Sequence, residues 1–160
     1  GMVLLLAITA QFLFPHSVHP FIMPVIGLAN LVFVTSSILM FVLDTEQVSA
    51  DHIYGAICAY ILLAMIFAGL YGILETAYPG SFSGIKPVES DHNWWFGFLY
   101  FSFTTLSTVG YGDIYPITAP ARSLCICQQL VGTFYVAILI ARLAGLYPPH
   151  KPQKNSEKTS

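Results

Sequence analysis

Apolar residues run nearly unbroken through most of this chain, and the polar breaks between them mark out its elements. Residues 21–43 carry no charged side chain and are long enough to cross a bilayer as one helix. A polar break follows at 44–52, DTEQVSADH, where Ser49 or Asp51 is placed to cap a second helix. Residues 53–78 make that second span. Its small residues, among them Gly55, Ala64, Ala68, Gly69 and Gly72, predict close packing against other helices in lipid. A third full span is predicted over 121–147.

Two further apolar runs, residues 2–14 and 94–106, are too short to cross. A helix of that length reaches about 20 Å, against roughly 30 Å of hydrocarbon. The first precedes a proline-flanked turn, PHSVHP, at 15–20. The second, WWFGFLYFSFTTL, follows a Pro-, Gly- and Ser-rich loop at 79–93, and Asn93 is placed to cap it. Between it and the last span lies the glycine-rich stretch TLSTVGYGDIYP, residues 105–116. Irregular backbone at membrane depth survives only where protein or a water-filled cavity surrounds it. The order span, short re-entrant helix, glycine loop, span therefore implies such a cavity.

Composition agrees. The 160-residue chain is 56% hydrophobic and 9% charged, where soluble domains carry about 25% charged residues. This is an all-α membrane protein. A net charge of −2 gives no sign of nucleic-acid binding. Gly1 before Met2 reads as a remnant of tag cleavage. No positively charged stretch precedes the first apolar run, so no signal peptide is expected. Residues 1–50 are read as peripheral membrane helices, 51–147 as the central unit and 148–160 as a solvated tail.

The loop has a chemistry of its own. An extended strand alternates its carbonyls, so only half face any one axis. Aligning successive carbonyls needs alternating left- and right-handed φ, which Gly110 and Gly112 adopt without penalty. Val109 and Tyr111 then pack outward, and the Thr108 hydroxyl adds an oxygen below. One chain supplies one wall, so four are needed to surround a dehydrated cation.

TLSTVGYGD resembles the signature of the tetrameric potassium channels, whose TVGYG loop is a known carbonyl filter. The resemblance covers about residues 51–147. It implies a homotetrameric pore module of outer helix, re-entrant pore helix with filter, and inner helix, with one or two extra N-terminal apolar helices. It implies K+ bound by Thr108, Val109, Gly110, Tyr111 and Gly112, with Asp113 concentrating cations at the outer mouth. K+, three identical subunits and membrane lipid are the implied partners. No cofactor, catalytic residue or enzyme activity is implied. The pore helix ends near Leu106, where its dipole places about half a negative charge toward the cavity.

Gly132 lies twenty residues beyond Gly112 and matches the family's hinge glycine; tight packing against the pore helix is the alternative reading. The same alignment places Thr133, Val136 and Ile140 along the cavity and Ala144 near the inner constriction. Two departures stand out. Tyr100 and Phe101 occupy the places where many relatives carry two tryptophans, and Trp94 and Trp95 are expected in an interfacial belt instead. Thr104 stands where some relatives carry a glutamate that pairs with the filter aspartate, which argues against that pairing here.

The resemblance places the filter mouth outside a plasma membrane and the C-terminus in the cytoplasm. Arg142, Lys151, Lys154 and Lys158 then lie inside, and Lys86 and Arg122 outside, in line with the positive-inside rule. The acidic loop at 44–52 opposes it. Cys58, Cys125 and Cys127 read as small buried hydrophobes. Glu75, near a span end, reads as a hydrogen-bond partner. His16 and His19 have HxxH spacing without a third ligand. A poorly selective cation pore, a membrane metal enzyme on those histidines and a non-conducting subunit are the competing readings.

None of the six basic residues falls in 2–14, 21–43 or 51–78, so no helix there carries the spaced charges of a voltage sensor. Steep gating moves about 3–4 charges per subunit. A conductance–voltage curve in symmetric potassium is therefore expected to be shallow; a steep sigmoid would reveal a sensor.

Overall fold

A computed structural model describes residues 22–43, 50–85 and 94–146. The described elements are α1 (Ile22–Leu43), α2 (Ala50–Ala77), β1 (Phe82–Ser83), α3 (Trp94–Leu106), β2 (Tyr115–Pro116) and α4 (Ala119–Leu146). Helices α1, α2 and α4 are long and apolar enough to cross a membrane, and α3 has the bounds predicted from its apolar run. This is a multi-pass membrane protein. The short run at 2–14, His16, His19, Ser49, His92, Asn93 and the tail lie outside the described residues.

Helix α1 carries three consecutive hydroxyls and pairs each within itself. Thr35, Ser36 and Ser37 donate to the carbonyls of Leu31, Val32 and Phe33, at 2.7, 2.7 and 2.9 Å. A hydroxyl bonded four residues back is a satisfied hydroxyl, which membrane depth requires. Helices α1 and α2 form an antiparallel hairpin through the small residues the sequence singled out. A Cβ on Gly55 would lie 2.9 Å from Val42 Cγ2, and one on Gly69 would lie 3.1 Å from Leu28 Cδ1. Any larger side chain would push the helices apart.

Helix α3 is mounted between α2 and α4. Its apolar contacts are aromatic: Tyr71 lies 5.1 Å from Phe101, and Phe82 lies 5.3 Å from Phe98 and 5.6 Å from Phe101, ring to ring. Beside them runs a buried polar network. Tyr71 donates to Gln128 Oε1; Gln128 Nε2 donates to the Ser102 carbonyl at 3.0 Å and to Ser102 Oγ at 2.7 Å; Ser102 Oγ donates to the Ala64 carbonyl at 2.7 Å. Tyr71, Ser102 and Gln128 are fully buried. One chain of bonds thus joins three helices.

The chain from α2 into α3 is clipped to the chain that leaves the glycine loop. Phe82 pairs with Pro116 and Ser83 with Tyr115 in an antiparallel ribbon. The Glu75 carboxylate accepts from the amides of Gly80, Ser81 and Phe82 at 2.7, 2.9 and 3.2 Å, as the hydrogen-bond role read for it requires. Gly84, at φ +85°, leaves no room for a side chain: a Cβ there would lie 2.1 Å from the Asp113 carbonyl oxygen.

Trp94 and Trp95 are both half-buried, and a Cβ on Gly72 would meet Trp94 Cζ3 at 2.9 Å. One expectation is corrected. Cys125 is buried as expected, but Cys58 and Cys127 are exposed on the chain. A helix face that meets lipid is as apolar as a core, so an apolar sequence does not imply burial within the chain.

Gln128→Leu keeps the volume but strands the Tyr71 hydroxyl. The expected loss of stability is about 1–3 kcal/mol, and adding Tyr71→Phe should recover part of it. Thermal unfolding of the purified single and double variants in detergent checks both.

Candidate functional site

The glycine loop begins where α3 runs out of helical partners. A helix leaves its last four carbonyls unpaired, and here all four find donors. The Phe103 carbonyl accepts from Ser107 N and Ser107 Oγ at 3.0 and 2.7 Å. The Thr104 carbonyl accepts from Val109 N and Gly110 N at 2.9 and 3.1 Å, and the Thr105 carbonyl accepts from Thr108 N at 3.1 Å. The Leu106 carbonyl accepts from the Tyr60 hydroxyl of α2 at 3.2 Å. The dipole of α3 still points its negative end this way, with its last carbonyls engaged by these donors.

The amides of three successive residues are thereby turned into the end of α3. In a trans peptide the carbonyl points opposite to the N–H. The carbonyls of Ser107, Thr108 and Val109 therefore all point away from α3. Positive φ falls at Thr108 (61°), Gly110 (55°) and Gly112 (80°), so every second residue is left-handed. This is the alternation that aligns carbonyls along one side. Thr108 is the one non-glycine residue in that conformation among the described residues, at a cost of about 1–2 kcal/mol. Sequence reasoning identified the two glycines and missed the threonine.

Thr108, Val109, Gly110, Tyr111, Gly112 and Asp113 form one continuous exposed strip. Tyr111 stacks on Tyr100 of α3, with ring centroids 6.3 Å apart and planes within 2°. The Tyr100 hydroxyl also engages the Asp113 carboxylate, which holds the phenol pKa above its ordinary value. Asp113 itself accepts from Ile114 N at 3.0 Å. The aspartate thus has an aromatic partner one helical turn before Thr104, the position compared with a glutamate. Thr104 turns its hydroxyl onto the Phe101 carbonyl at 3.0 Å.

Behind the strip, α4 comes close at Gly132. A Cβ there would lie 2.7 Å from Leu106 Cδ1 and 2.8 Å from the Leu106 carbonyl oxygen. This is the close approach to α3 that the packing reading of Gly132 requires. Thr133 lines a cleft of about 620 Å³ together with Thr104, Thr105, Thr108 and Gln129. Val136 and Ile140 follow on α4, both exposed on the chain. Ala144 lies in the last turns of α4. Sequence reasoning missed Tyr60, Tyr71, Ser102 and Gln128, polar groups set in largely apolar helices.

Residues 56–147 match the family described as "Ion channel". The chain is 30% identical over 81 residues to the potassium channel protein kcv of Paramecium bursaria Chlorella virus 1, covering 51% of this chain and 83% of that protein. It is 28% identical over 102 residues to a voltage-gated potassium channel of Aeropyrum pernix, covering 64% of this chain and 30% of that one. It is 32% identical over 90 residues to two pore potassium channel c of Oryza sativa subsp. japonica, covering 56% of this chain and 18% of that one.

Gly132→Ala tests what the glycine does. Overpacking against Leu106 is expected to cost about 1–3 kcal/mol of stability. At a freely bending hinge the same change would instead add roughly 1 kcal/mol, because alanine is the better helix former. The thermal midpoint in detergent gives the sign.

Proposed function

The chain belongs to the ion-channel family, and we propose that it is a potassium-selective member assembled from four identical copies. One observation carries the reading: three consecutive amides are bound back into α3 while left-handed φ recurs at Thr108, Gly110 and Gly112. That backbone presents carbonyls on one side of a strip, and such a strip suits a cation that sheds its water. A single strip surrounds nothing, so fourfold rotation closes the ring.

In this reading a K+ ion passes between sites made by the carbonyls of Thr108, Val109, Gly110 and Tyr111 and the Thr108 hydroxyl. Carbonyl dipoles carry partial charges, so each site holds a monovalent ion without trapping it. The Tyr111 rings, braced by Tyr100, set the width of the ring from outside. Asp113 raises the local cation concentration at the mouth. Thr133, Val136 and Ile140 line the water-filled approach, and Ala144 stands at its narrow end. The mouth faces outward from a plasma membrane and the C-terminus lies in the cytoplasm.

Purified protein in liposomes is expected to pass potassium far faster than sodium and to be blocked by barium. Tyr111→Asp, which removes the ring stacked on Tyr100, should erode that preference. Native mass measurement should give four copies. Equal sodium and potassium fluxes would overturn the filter reading, and a conducting dimer would overturn the assembly.

A further inference from the structure

We propose that Tyr60, on α2, is a positioning residue for the inner end of the filter. Its hydroxyl holds the Leu106 carbonyl in place, and α4 bears on that same junction. The proposal rests on the filter reading above.

Leu106 is the last residue of α3 and is 2% exposed. Its carbonyl cannot use a filter amide, because those of Thr108, Val109 and Gly110 are taken by Thr104 and Thr105. The Tyr60 hydroxyl, at 3.2 Å, supplies the donor from a different helix. Two residues further on stands Thr108, whose left-handed backbone begins the strip. The direction of the Leu106 carbonyl fixes the plane of the Leu106–Ser107 peptide. It therefore sets the start of the turn into Thr108.

Helix α4 meets this junction twice. Gly132 packs on the Leu106 carbonyl oxygen itself. Tyr135, one turn later, lies against Tyr60 with ring centroids 5.6 Å apart. The Tyr135 hydroxyl donates to the Ala56 carbonyl at 2.5 Å, one turn before Tyr60 on α2. A shift of α4 thus reaches the Leu106 carbonyl directly through Gly132 and indirectly through the two tyrosine rings. Without the Tyr60 hydroxyl, the carbonyl is left buried and unpaired, and it must turn toward water in the pore to find a donor.

Two isosteric variants separate positioning from packing. Tyr60→Phe and Tyr135→Phe each remove one hydroxyl that bonds a backbone carbonyl, and both keep the ring contact. Each is compared with the parent in liposomes for barium block from the α4 C-terminal side, for the potassium-to-sodium permeability ratio and for tetramer melting. Tyr60→Phe is expected to shift the half-blocking barium concentration about tenfold and to lower the permeability ratio. Tyr135→Phe is expected to lower the melting point alone, with barium block within about twofold of the parent. The proposal is overturned if Tyr60→Phe blocks and selects like the parent, or if Tyr135→Phe shifts both readings equally. Loss of the tetramer in both variants would mark a packing role and overturn it too. The parent's own selectivity tests the filter reading, whereas the ratio of each variant to the parent tests Tyr60.

Discussion

The site depends on one exchange of hydrogen bonds: the end of α3 lacks donors, and the loop that follows it has amides to spare. Thr104 and Thr105 accept the amides of Thr108, Val109 and Gly110. A polar backbone group left buried and unpaired costs several kcal/mol. The exchange satisfies both and fixes three peptide planes in the same sense. The free carbonyls are its consequence, since each is the other end of a peptide whose N–H is engaged. The glycines permit this geometry, but the helix end imposes it. Thr108 shows the strength of that demand, because it is held left-handed without being a glycine.

A helix used in this way must itself be held still. Lipid gives little hydrophobic drive for one helix to pack on another, so close contact and polar bonds have to supply it. Both are present around α3. Gln128, Ser102 and Tyr71 tie it to its two long neighbours through fully buried bonds, and rings of Phe82, Phe98 and Phe101 fill the space beside them. Among the described residues no buried side-chain nitrogen or oxygen lacks a partner. A half-satisfied network would be worse than an apolar core, so its completeness is what lets it rigidify the mount.

The spans and the short helix were legible because hydropathy and length decide them, and α3 fell on its predicted bounds. The glycine loop was legible because the motif and the physics of positive φ point to the same two residues. Tyr60, Ser102 and Gln128 were not, since a polar residue in a largely apolar helix gives no direction until the helices are placed. The contact of Trp94 with Gly72 was hidden for a similar reason: a tryptophan near a span end suits an interface and a glycine groove equally well. Gly132 shows what position alone leaves open. Its offset from Gly112 suited a hinge and a packing contact alike, and its approach to Leu106 appears only once the helices are placed.

Polar bonds join α4 to α2 and α3 at more than one level. Near the glycine loop it is tied by Gln128, and Thr118, just before its first turn, reaches Ser81 at 3.1 Å. At Gly132 it touches the pore helix through backbone. Beyond that, the Tyr135 hydroxyl donates to the Ala56 carbonyl of α2. Further along, Tyr135, Ile138, Leu139 and Arg142 border a gap of about 90 Å³ against Leu39 and Val42 of α1. Between these levels Gly132 brings α4 onto the Leu106 carbonyl oxygen with no side chain between them, so in a close-packed interior a shift of α4 at that point would act on the end of α3 directly.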